Sequence, residues 1–288
     1  MLEPKIIVNA QTQLYGILGN PVRHSLSPLI HNTLFDELKI NAVYLAFEIE
    51  KDLLGPAFES IRSLDIRGVN LTIPFKEPAL NFIDEIPEDI DRCVGALNTV
   101  INRGGKLIGF NTDVPGFLIA LKEELGFNPE AKKILVLGAG GAARGVVFAL
   151  AQGHADKILI HNRTGPRAEG LRDYLSKYFP ETEIDSLGSL NDLKTEKIDL
   201  VVNATPCGMT GHESPLDLRL LHKAGNVYDL VYTPAQTPFL KQAKELGLPC
   251  ANGMGMLAAQ AALSFQLWTG HQDGLRARMS EILKKCLS

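Results

Sequence analysis

Two glycines and an alanine follow one apolar segment at a spacing suited to binding phosphate groups. Gly138, Gly140 and Ala143 form the pattern G-x-G-x-x-A directly after the apolar residues 133–137 and at the start of the amphipathic residues 142–152. At this spacing a strand turns tightly into a helix whose first amides point at a pyrophosphate. We therefore predict a dinucleotide site here; a glycine-rich turn that binds nothing is the alternative.

A second group of residues, after the next apolar segment, indicates which dinucleotide the site binds. The apolar residues 157–160 lead into Asn162 and Arg163, and Arg167 follows. A site for NAD usually carries Asp or Glu at this point, roughly 20 residues beyond the glycines, whereas arginine accommodates the 2′-phosphate of NADP. The missing carboxylate and the two arginines favour NADP.

Polar residues also mark the ends of predicted elements in the first half of the chain. Ser27 precedes Pro28 and the helical period that follows, so it suits the N-cap position of a helix. Ser25 lies two residues earlier, where a cap would not need it. A binding role is therefore the alternative for the serines.

Asn70 and Thr72 alternate with apolar residues along the predicted strand 68–73, and Lys76 follows it. The alternation places both polar side chains on one face, where a buried parallel strand is usually apolar. A ligand site at the strand end and an ordinary solvated edge are both compatible with this pattern.

Two further polar residues have a functional and a structural interpretation. Asp113 closes an Asn-Thr-Asp triplet that suits the N-cap of the predicted helix 114–125. Gln260 lies within the almost wholly apolar helix 254–268. Because a buried amide without a partner is costly, Gln260 either joins a local network or reaches a ligand.

The composition limits the classes of function. The chain has 288 residues, 45% of them hydrophobic and 22% charged, with a net charge of -4. This is typical of a globular protein of two domains, and an acidic chain without a basic block is not expected to bind nucleic acid. The four scattered cysteines and seven histidines show no metal-ligand spacing, so we expect no bound metal and a reducing compartment.

The apolar segments are too short for a membrane span, and residues 1–10 do not resemble a signal peptide. We therefore expect no membrane association and a cytoplasmic location. A small-molecule substrate is the expected partner, and the chain is expected to be a monomer or a homodimer.

Alternating strands and helices predict an α/β protein. The predicted strands are residues 14–19, 43–49, 68–73, 133–137, 197–203 and 227–232. Residues 157–164 are predicted as a strand with its exit loop, residues 249–253 as a short strand and turn, and residues 95–113 as a hairpin around the turn 103–105. Open parallel sheets bind ligands beyond the carboxyl ends of their strands. The domain boundary is predicted near Asp113, with a Rossmann-type dinucleotide-binding domain beyond it.

Read together, several motifs resemble the shikimate dehydrogenase family over nearly the whole chain. The matching segments are Ser25-Leu26-Ser27-Pro28, Asn70-Leu71-Thr72-Ile73-Pro74-Phe75-Lys76, Gly95-Ala96-Leu97-Asn98-Thr99, Gly109-Phe110-Asn111-Thr112-Asp113, Asn162-Arg163-Thr164, and Gly253-Met254-Gly255-Met256-Leu257 with Gln260. The departures are Pro206 and Ala143, where the family often has serine, and serine or threonine, respectively. Neither departure affects a proposed catalytic residue, and both bear on the affinity for the cofactor.

The resemblance implies reversible, NADP-dependent reduction of 3-dehydroshikimate to shikimate in aromatic amino acid biosynthesis. It implies that Lys76 and Asp113 are the catalytic pair at the cleft where nicotinamide meets substrate. The implied substrate-binding residues are Ser25, Ser27, Thr72 and Tyr232 for the carboxylate, and Asn70, Asn98 and Gln260 for the ring hydroxyls. The expected cofactor-binding residues are Gly138, Ala139, Gly140, Gly141, Ala142, Asn162, Arg163, Thr164, Arg167, Thr205, Gly253 and Met256.

The resemblance also implies a discontinuous substrate domain with a mainly parallel sheet. Residues 1–112 and 253–288 would form this domain, and residues 113–252 the NADP-binding domain. Two other functions stay open: a quinate/shikimate dehydrogenase that uses NAD or both cofactors, and a non-catalytic NADP-binding sensor. Asn162 with Arg163 and Ser27 argue against the first, and a sensor has no need of an acid/base pair such as Lys76 and Asp113.

Overall fold

The computed structural model describes residues 8–193, 197–211, 213–221 and 223–287. The chain divides into two compact units. The first comprises the described residues up to Thr112 together with those from Ala258 onward, and the second is Asp113–Leu257. The predicted boundary at residue 113 coincides with this division. The predicted return at residue 253 falls five residues earlier than the observed one, and residues 1–7 of the predicted first domain lie outside the described part.

The first unit contains a sheet of five strands in the order β2-β1-β3-β4-β5. The strands are β1 (Gln13–Gly19), β2 (Ala42–Glu48), β3 (Gly68–Leu71), β4 (Thr99–Arg103) and β5 (Lys106–Phe110). β1 pairs in parallel with β2 and β3, while β3, β4 and β5 are antiparallel. The predicted hairpin is therefore confirmed, and it extends the parallel part of the sheet.

Helices pack around this sheet and bury apolar residues in the core of the unit. They are α1 (Ser27–Glu37), α2 (Leu54–Ser63) and the short α3 (Asp89–Val94), and the C-terminal part of the chain adds α8 (Met254–Thr269) and α9 (Leu275–Leu287). One core cluster combines Phe58 and Ile61 of α2 with Val69 and Leu71 of β3. This packing between α2 and β3 positions the residues that follow the end of β3.

The second unit is a six-stranded parallel sheet in the order β11-β10-β9-β6-β7-β8. Its strands are β6 (Lys133–Leu137), β7 (Lys157–His161), β8 (Glu183–Ser186), β9 (Lys197–Asn203), β10 (Lys223–Asp229) and β11 (Cys250–Asn252). The helices are α4 (Asp113–Leu125), α5 (Gly141–Gln152), α6 (Gly165–Leu175) and α7 (Pro238–Glu245).

The strand order of the second unit reverses between β6 and β9. This is the doubly wound arrangement in which dinucleotides bind at the point of reversal, beyond the carboxyl ends of the strands. The predicted α/β class, with a mainly parallel first sheet and a Rossmann-type second sheet, is confirmed.

Candidate functional site

The glycine turn lies at the point of reversal in the second unit. Gly138 has a φ of 115°, a backbone conformation that favours glycine, and a Cβ there would lie 3.0 Å from the carbonyl oxygen of Ala204. α5 begins at Gly141, and a Cβ on exposed Gly140 would meet nothing within 4 Å. The space beside Gly140 is therefore open at the start of the helix, where free backbone amides suit a phosphate group.

The loop after β7 carries the residues expected to select the cofactor. The Asn162 side-chain amide donates to the carbonyl oxygen of Thr164 at 2.9 Å, and the Arg167 backbone amide donates to the same oxygen at 3.1 Å. These bonds fix the loop at the start of α6. Arg163 and Arg167 are exposed, so their guanidinium groups are available to an anionic ligand.

Thr205 is held by the side chain at the end of β9. Its backbone amide and hydroxyl donate to Asn203 Oδ1 at 3.0 and 2.7 Å, while Asn203 Nδ2 donates to Asp229 Oδ1 at 2.8 Å. The Asp229 side chain is completely buried, and burial raises the pKa of its carboxyl group. Asp229 thus indirectly orients the Thr205 loop.

Asp229 also fixes the loop that leads to Tyr232. The Val231 backbone amide donates to Asp229 Oδ1 at 3.0 Å, and the Thr237 hydroxyl donates to Oδ2 at 2.6 Å. Tyr232 follows directly and is half-buried, and burial raises the pKa of its phenol. The strand predicted to run to residue 232 ends at Asp229, so Tyr232 lies on a loop.

The start of α8 is packed against β10 and α4 within the second unit. Gly253 and Met256 are buried, and the Tyr228 hydroxyl donates to Glu124 Oε2 at 3.1 Å. A Cβ on Gly255 would lie 2.5 Å from that same carboxylate oxygen. The predicted cofactor residues Gly253 and Met256 therefore belong to a closely packed segment.

In the first unit, the serine segment differs from the N-cap prediction. Ser27 is the first residue of α1, and Leu26 takes the N-cap position without a side-chain hydrogen bond. Ser27 as the N-cap is therefore wrong, because the helix starts one residue earlier than Pro28 suggested. Instead, the Ser27 backbone amide donates to Ser25 Oγ at 3.2 Å. Ser25, which had no expected structural role, therefore orients the start of the helix.

Asn70 lies in β3 and is buried, with an exposed fraction of 5%. Its Nδ2 atom donates to the carbonyl oxygen of Asn98 at 3.0 Å and to the hydroxyls of Thr99 and Ser264, each at 3.1 Å. Its Oδ1 atom accepts the hydroxyl of Tyr44 at 2.7 Å. The solvated-edge interpretation is therefore wrong for Asn70.

Asn98 connects this cluster to the helix that carries Gln260. The Asn98 amide donates to Thr112 Oγ1 at 2.8 Å and to Gln260 Oε1 at 3.3 Å, and Asn98 Oδ1 accepts the Thr112 backbone amide at 2.7 Å. Gln260 is half-buried. Of the two interpretations of Gln260, the local network is observed, and the half-buried side chain is also compatible with ligand binding.

Thr72 and Lys76 lie beyond the strand on which Thr72 was predicted. β3 ends at Leu71, so Thr72 does not share a strand face with Asn70. The strand is shorter because Pro74 cannot donate to a sheet, and Ile73 is 57% exposed. Thr72 still donates its backbone amide to Leu18 at 3.0 Å, and the carbonyl of half-buried Lys76 accepts the amide of Leu97 at 2.8 Å.

Asp113 is the first residue of α4 and is buried, with 6% exposed. It belongs to the second unit, whereas Lys76 belongs to the first. In the first unit, burial raises the pKa of the Asp91 carboxyl group to about 6, although that carboxyl accepts the backbone amide of Asn111. Asp91 thereby supports the segment that precedes Asp113.

Sequence reasoning missed four residues of this arrangement: Tyr44, Ser264, Asn203 and Asp229. The signal for Asn203 and Asp229 was available, since each is a polar residue that ends an apolar strand. Tyr44 and Ser264 gave no such signal because each lies within an apolar segment.

Within the described part of the chain, no group of three His, Cys, Asp or Glu side chains could hold a metal ion. Over the same residues, every helix is too short or too polar to cross a bilayer.

Comparison with known proteins shows what the chain is similar to. Three family models match: the shikimate dehydrogenase substrate binding domain over residues 17–100, the shikimate / quinate 5-dehydrogenase over residues 120–209, and the shikimate 5′-dehydrogenase C-terminal domain over residues 253–284. A curated relative from Caldanaerobacter subterraneus, a shikimate dehydrogenase (NADP(+)), is 42% identical over 91% of this chain and 94% of its own length.

Solved structures of shikimate dehydrogenases are also similar to this chain. Shikimate 5-dehydrogenase from Thermus thermophilus, in complex with NADP(H) and shikimate, has a TM-score of 0.84 and 38% identity over 96% of this chain and 100% of that one. The Listeria monocytogenes enzyme, in complex with shikimate and NAD, has a TM-score of 0.85 and 32% identity over 96% of this chain and 98% of that one. This chain therefore belongs to the shikimate dehydrogenase family.

Proposed function

We propose that this chain catalyses the reversible reduction of 3-dehydroshikimate to shikimate with NADPH, a step in aromatic amino acid biosynthesis. The observation that carries the proposal is the polar network of the first unit. Residues expected to contact the substrate and distant in the sequence, Asn70, Asn98 and Gln260, are joined through hydrogen bonds. The curated relatives that share about 40% of its sequence carry the name of this NADP-dependent enzyme.

The proposed roles follow from the chemistry of ketone reduction. Bound NADPH supplies the hydride. Charge that develops on the carbonyl oxygen needs a proton donor, and we assign that role to the Lys76 ammonium, which Asp113 orients. Ser25, Ser27, Thr72 and Tyr232 hold the substrate carboxylate, while Asn70, Asn98 and Gln260 bond the ring hydroxyls.

The glycine turn and the exposed arginines of the second unit are suited to binding NADP. The space beside Gly140 is open, and we assign the pyrophosphate to the amides of Gly141 and Ala142 at the start of α5. Exposed Arg163 and Arg167 suit the 2′-phosphate. The remaining residues proposed to hold NADP are Gly138, Ala139, Asn162, Thr164, Thr205, Gly253 and Met256.

A four-way assay tests the function. Initial rates are measured with shikimate and with quinate, each with NADP and with NAD. We expect the highest kcat/KM for shikimate with NADP. A higher value for quinate with NAD would favour the quinate/shikimate alternative, and NADP binding without turnover would favour a sensor.

We further propose that the first unit is the substrate domain, that the second is the NADP domain, and that the protein acts in the cytoplasm as a monomer or homodimer. The four free cysteines are compatible with a reducing compartment. Sedimentation equilibrium measures the assembly, and fractionation of the source cells followed by immunoblotting measures the location.

A further inference from the structure

Asp229 and Asn203 are completely buried polar residues at the ends of two adjacent strands of the second unit. They are the last residues of β10 and β9 and pair with each other in the register of the sheet. Asn203 Nδ2 donates to Asp229 Oδ1 at 2.8 Å. A buried carboxylate is unfavourable unless its oxygens accept hydrogen bonds, so the groups that donate to Asp229 determine its role.

Three groups donate to the Asp229 carboxylate, and their surroundings fix the direction of each bond. The backbone amide of Val231 can only donate, at 3.0 Å. Asn203 uses its Oδ1 atom to accept a backbone amide, so its Nδ2 atom faces Asp229. The Thr237 hydroxyl oxygen accepts the amide of Leu240 at 3.3 Å, which leaves its hydrogen for Asp229 Oδ2 at 2.6 Å. Three donors suit an ionised carboxylate, although burial raises the pKa of this group.

One oxygen of Asp229 thereby joins the Thr205 loop to the Tyr232 loop. Oδ1 accepts Asn203, which in turn holds the amide and the hydroxyl of Thr205 at 3.0 and 2.7 Å. The same Oδ1 accepts the amide of Val231, the residue before Tyr232. The proposed function assigns Thr205 to NADP and Tyr232 to the substrate carboxylate. The two ligands therefore depend on loops that share one buried acceptor.

The two loops depend on Asp229 to different degrees. Asn203 Nδ2 has two hydrogens and also donates to the carbonyl oxygen of Cys207 at 3.2 Å, so it keeps a partner when Asp229 is removed. The Val231 amide has one hydrogen, and that hydrogen is donated to Asp229. We therefore expect the Tyr232 loop to depend on Asp229 more strongly than the Thr205 loop does.

We propose that Asp229 is a positioning residue whose single buried carboxylate orients both the Thr205 loop for NADP and the Tyr232 loop for the substrate carboxylate. Affinity for cofactor and affinity for substrate then depend on the same side chain, which contacts neither ligand. The inference rests on the proposed function because it takes the roles of Thr205 and Tyr232 from it.

Titration calorimetry of the whole chain with shikimate and with NADP tests the proposal. In Asp229→Ala we expect shikimate to bind about tenfold more weakly and NADP about threefold more weakly. Asn203→Ala should weaken NADP about threefold but change shikimate binding less than about twofold, because Asp229 still accepts the Val231 amide.

A double variant separates positioning of Tyr232 from a general loss of structure. If Asp229 acts on shikimate through the Tyr232 phenol, Asp229→Ala should change shikimate binding less than about twofold in a chain that already carries Tyr232→Phe. A general loss of structure would weaken shikimate binding by the same factor whether or not the phenol hydroxyl is present.

Asp199→Ala is the matched control. Asp199 lies in the same strand as Asn203, where its Oδ2 atom accepts the backbone amide of Lys133 at 3.1 Å and its Oδ1 atom pairs with Lys197 at 2.6 Å. We expect this variant to leave both dissociation constants within about twofold of the wild type, since this carboxylate holds neither loop.

Asp229→Asn is the conservative variant. It keeps the acceptor oxygen for Asn203 and Val231 but lacks the charge, so shikimate should bind only about threefold more weakly than to the wild type. This smaller loss should also disappear in the presence of Tyr232→Phe, and it decides the question should Asp229→Ala fail to fold.

The outcomes distinguish the proposed function from the role of Asp229. If the wild-type chain binds neither shikimate nor NADP, the proposed function is wrong and the inference is wrong with it. If the wild type binds both ligands, the role of Asp229 alone is contradicted by an unchanged affinity for either ligand in Asp229→Ala. A loss of shikimate binding that persists undiminished with Tyr232→Phe contradicts it as well.

Discussion

Gly253 lies directly against the backbone of Leu230. The carbonyl carbon of Leu230 is 2.7 Å from the point where a Cβ atom on residue 253 would be, and the carbonyl oxygen is nearer still. The Gly253 amide also donates to the carbonyl oxygen of Val231 at 3.3 Å. The loop that carries Tyr232 and the segment that begins α8 therefore pack backbone against backbone, which no residue with a side chain permits without movement.

Gly253→Ala should consequently destabilise the protein and disturb the Tyr232 loop. We expect a loss of about 1–3 kcal/mol in the free energy of unfolding, because backbone atoms cannot rotate away from the added methyl group. Urea unfolding measures this loss, and the KM for shikimate and for NADP should rise in the same variant.

Gly170→Ala is the matched control for that substitution. Gly170 lies inside α6, and a Cβ there would meet nothing within 4 Å. Alanine should therefore raise the free energy of unfolding by about 0.5–1 kcal/mol. Equal stability changes in the two variants would show that close packing at Gly253 is not what requires glycine.

Lys76→Ala tests the proposed proton donor. We expect kcat to fall by about 10²–10⁴-fold with little change in the KM for shikimate, because the contact to the developing alkoxide is made chiefly in the transition state. Steady-state kinetics of shikimate oxidation gives both constants. Lys39→Ala, at an exposed lysine of the same unit, should retain the wild-type kcat. An unchanged kcat in Lys76→Ala would exclude the assigned role.

Arg163→Ala tests the choice of cofactor. Removing one guanidinium from the exposed loop after β7 should weaken NADP binding by about tenfold or more while NAD binding changes little, because only NADP carries the 2′-phosphate. Dissociation constants for both nucleotides give the comparison. The control Arg219→Ala removes a surface arginine that pairs with Glu245 in the same unit. Equal losses for NADP and NAD in Arg163→Ala would contradict the assignment.

His31 predicts how stability depends on pH. Burial lowers its pKa to about 3, and both ring nitrogens lack a hydrogen-bond partner within the described residues. In the unfolded chain, histidine takes up a proton below about pH 6.5, so the folded state loses relative stability as the pH falls from there toward 3. The stability lost between pH 6.5 and 3 is on the order of 5 kcal/mol.

His31→Phe keeps a ring stacked on Tyr44 but cannot take up a proton. Its free energy of unfolding should therefore fall less steeply than that of the wild type between about pH 6.5 and 4. Urea unfolding at several pH values measures the difference, and parallel curves for the two proteins would refute the prediction.

The sequence predicts best those structural elements that depend on interactions between residues close together in the chain. The turn at Gly138 and the start of α5 are determined by adjacent residues, and the prediction of that strand, turn and helix is confirmed. The Ser27 N-cap was wrong by one residue because Pro28 is compatible with more than one position in a first turn. The extension of β3 to residue 73 was wrong for a similar reason, since alternation alone does not show where pairing ends.

The network around Asn70 could not be predicted because its contacts are distant in the sequence. Tyr44 and Asn70 are separated by 26 residues, and Asn70 and Ser264 by 194. A tyrosine in an apolar strand or a serine in an apolar helix is compatible with any partner. Only the fold shows that both hydroxyls reach the same asparagine.

The separation between Asn70 and Ser264 has a consequence for synthesis on the ribosome. The second unit is continuous, so a nascent chain that has reached Leu257 contains every residue of that unit. The same nascent chain still lacks Ser264, whose hydroxyl forms hydrogen bonds with Asn70 and Thr99 in the folded protein. The unit whose synthesis begins first is therefore the last to be completed, and until then Asn70 and Thr99 lack their hydrogen bonds to Ser264.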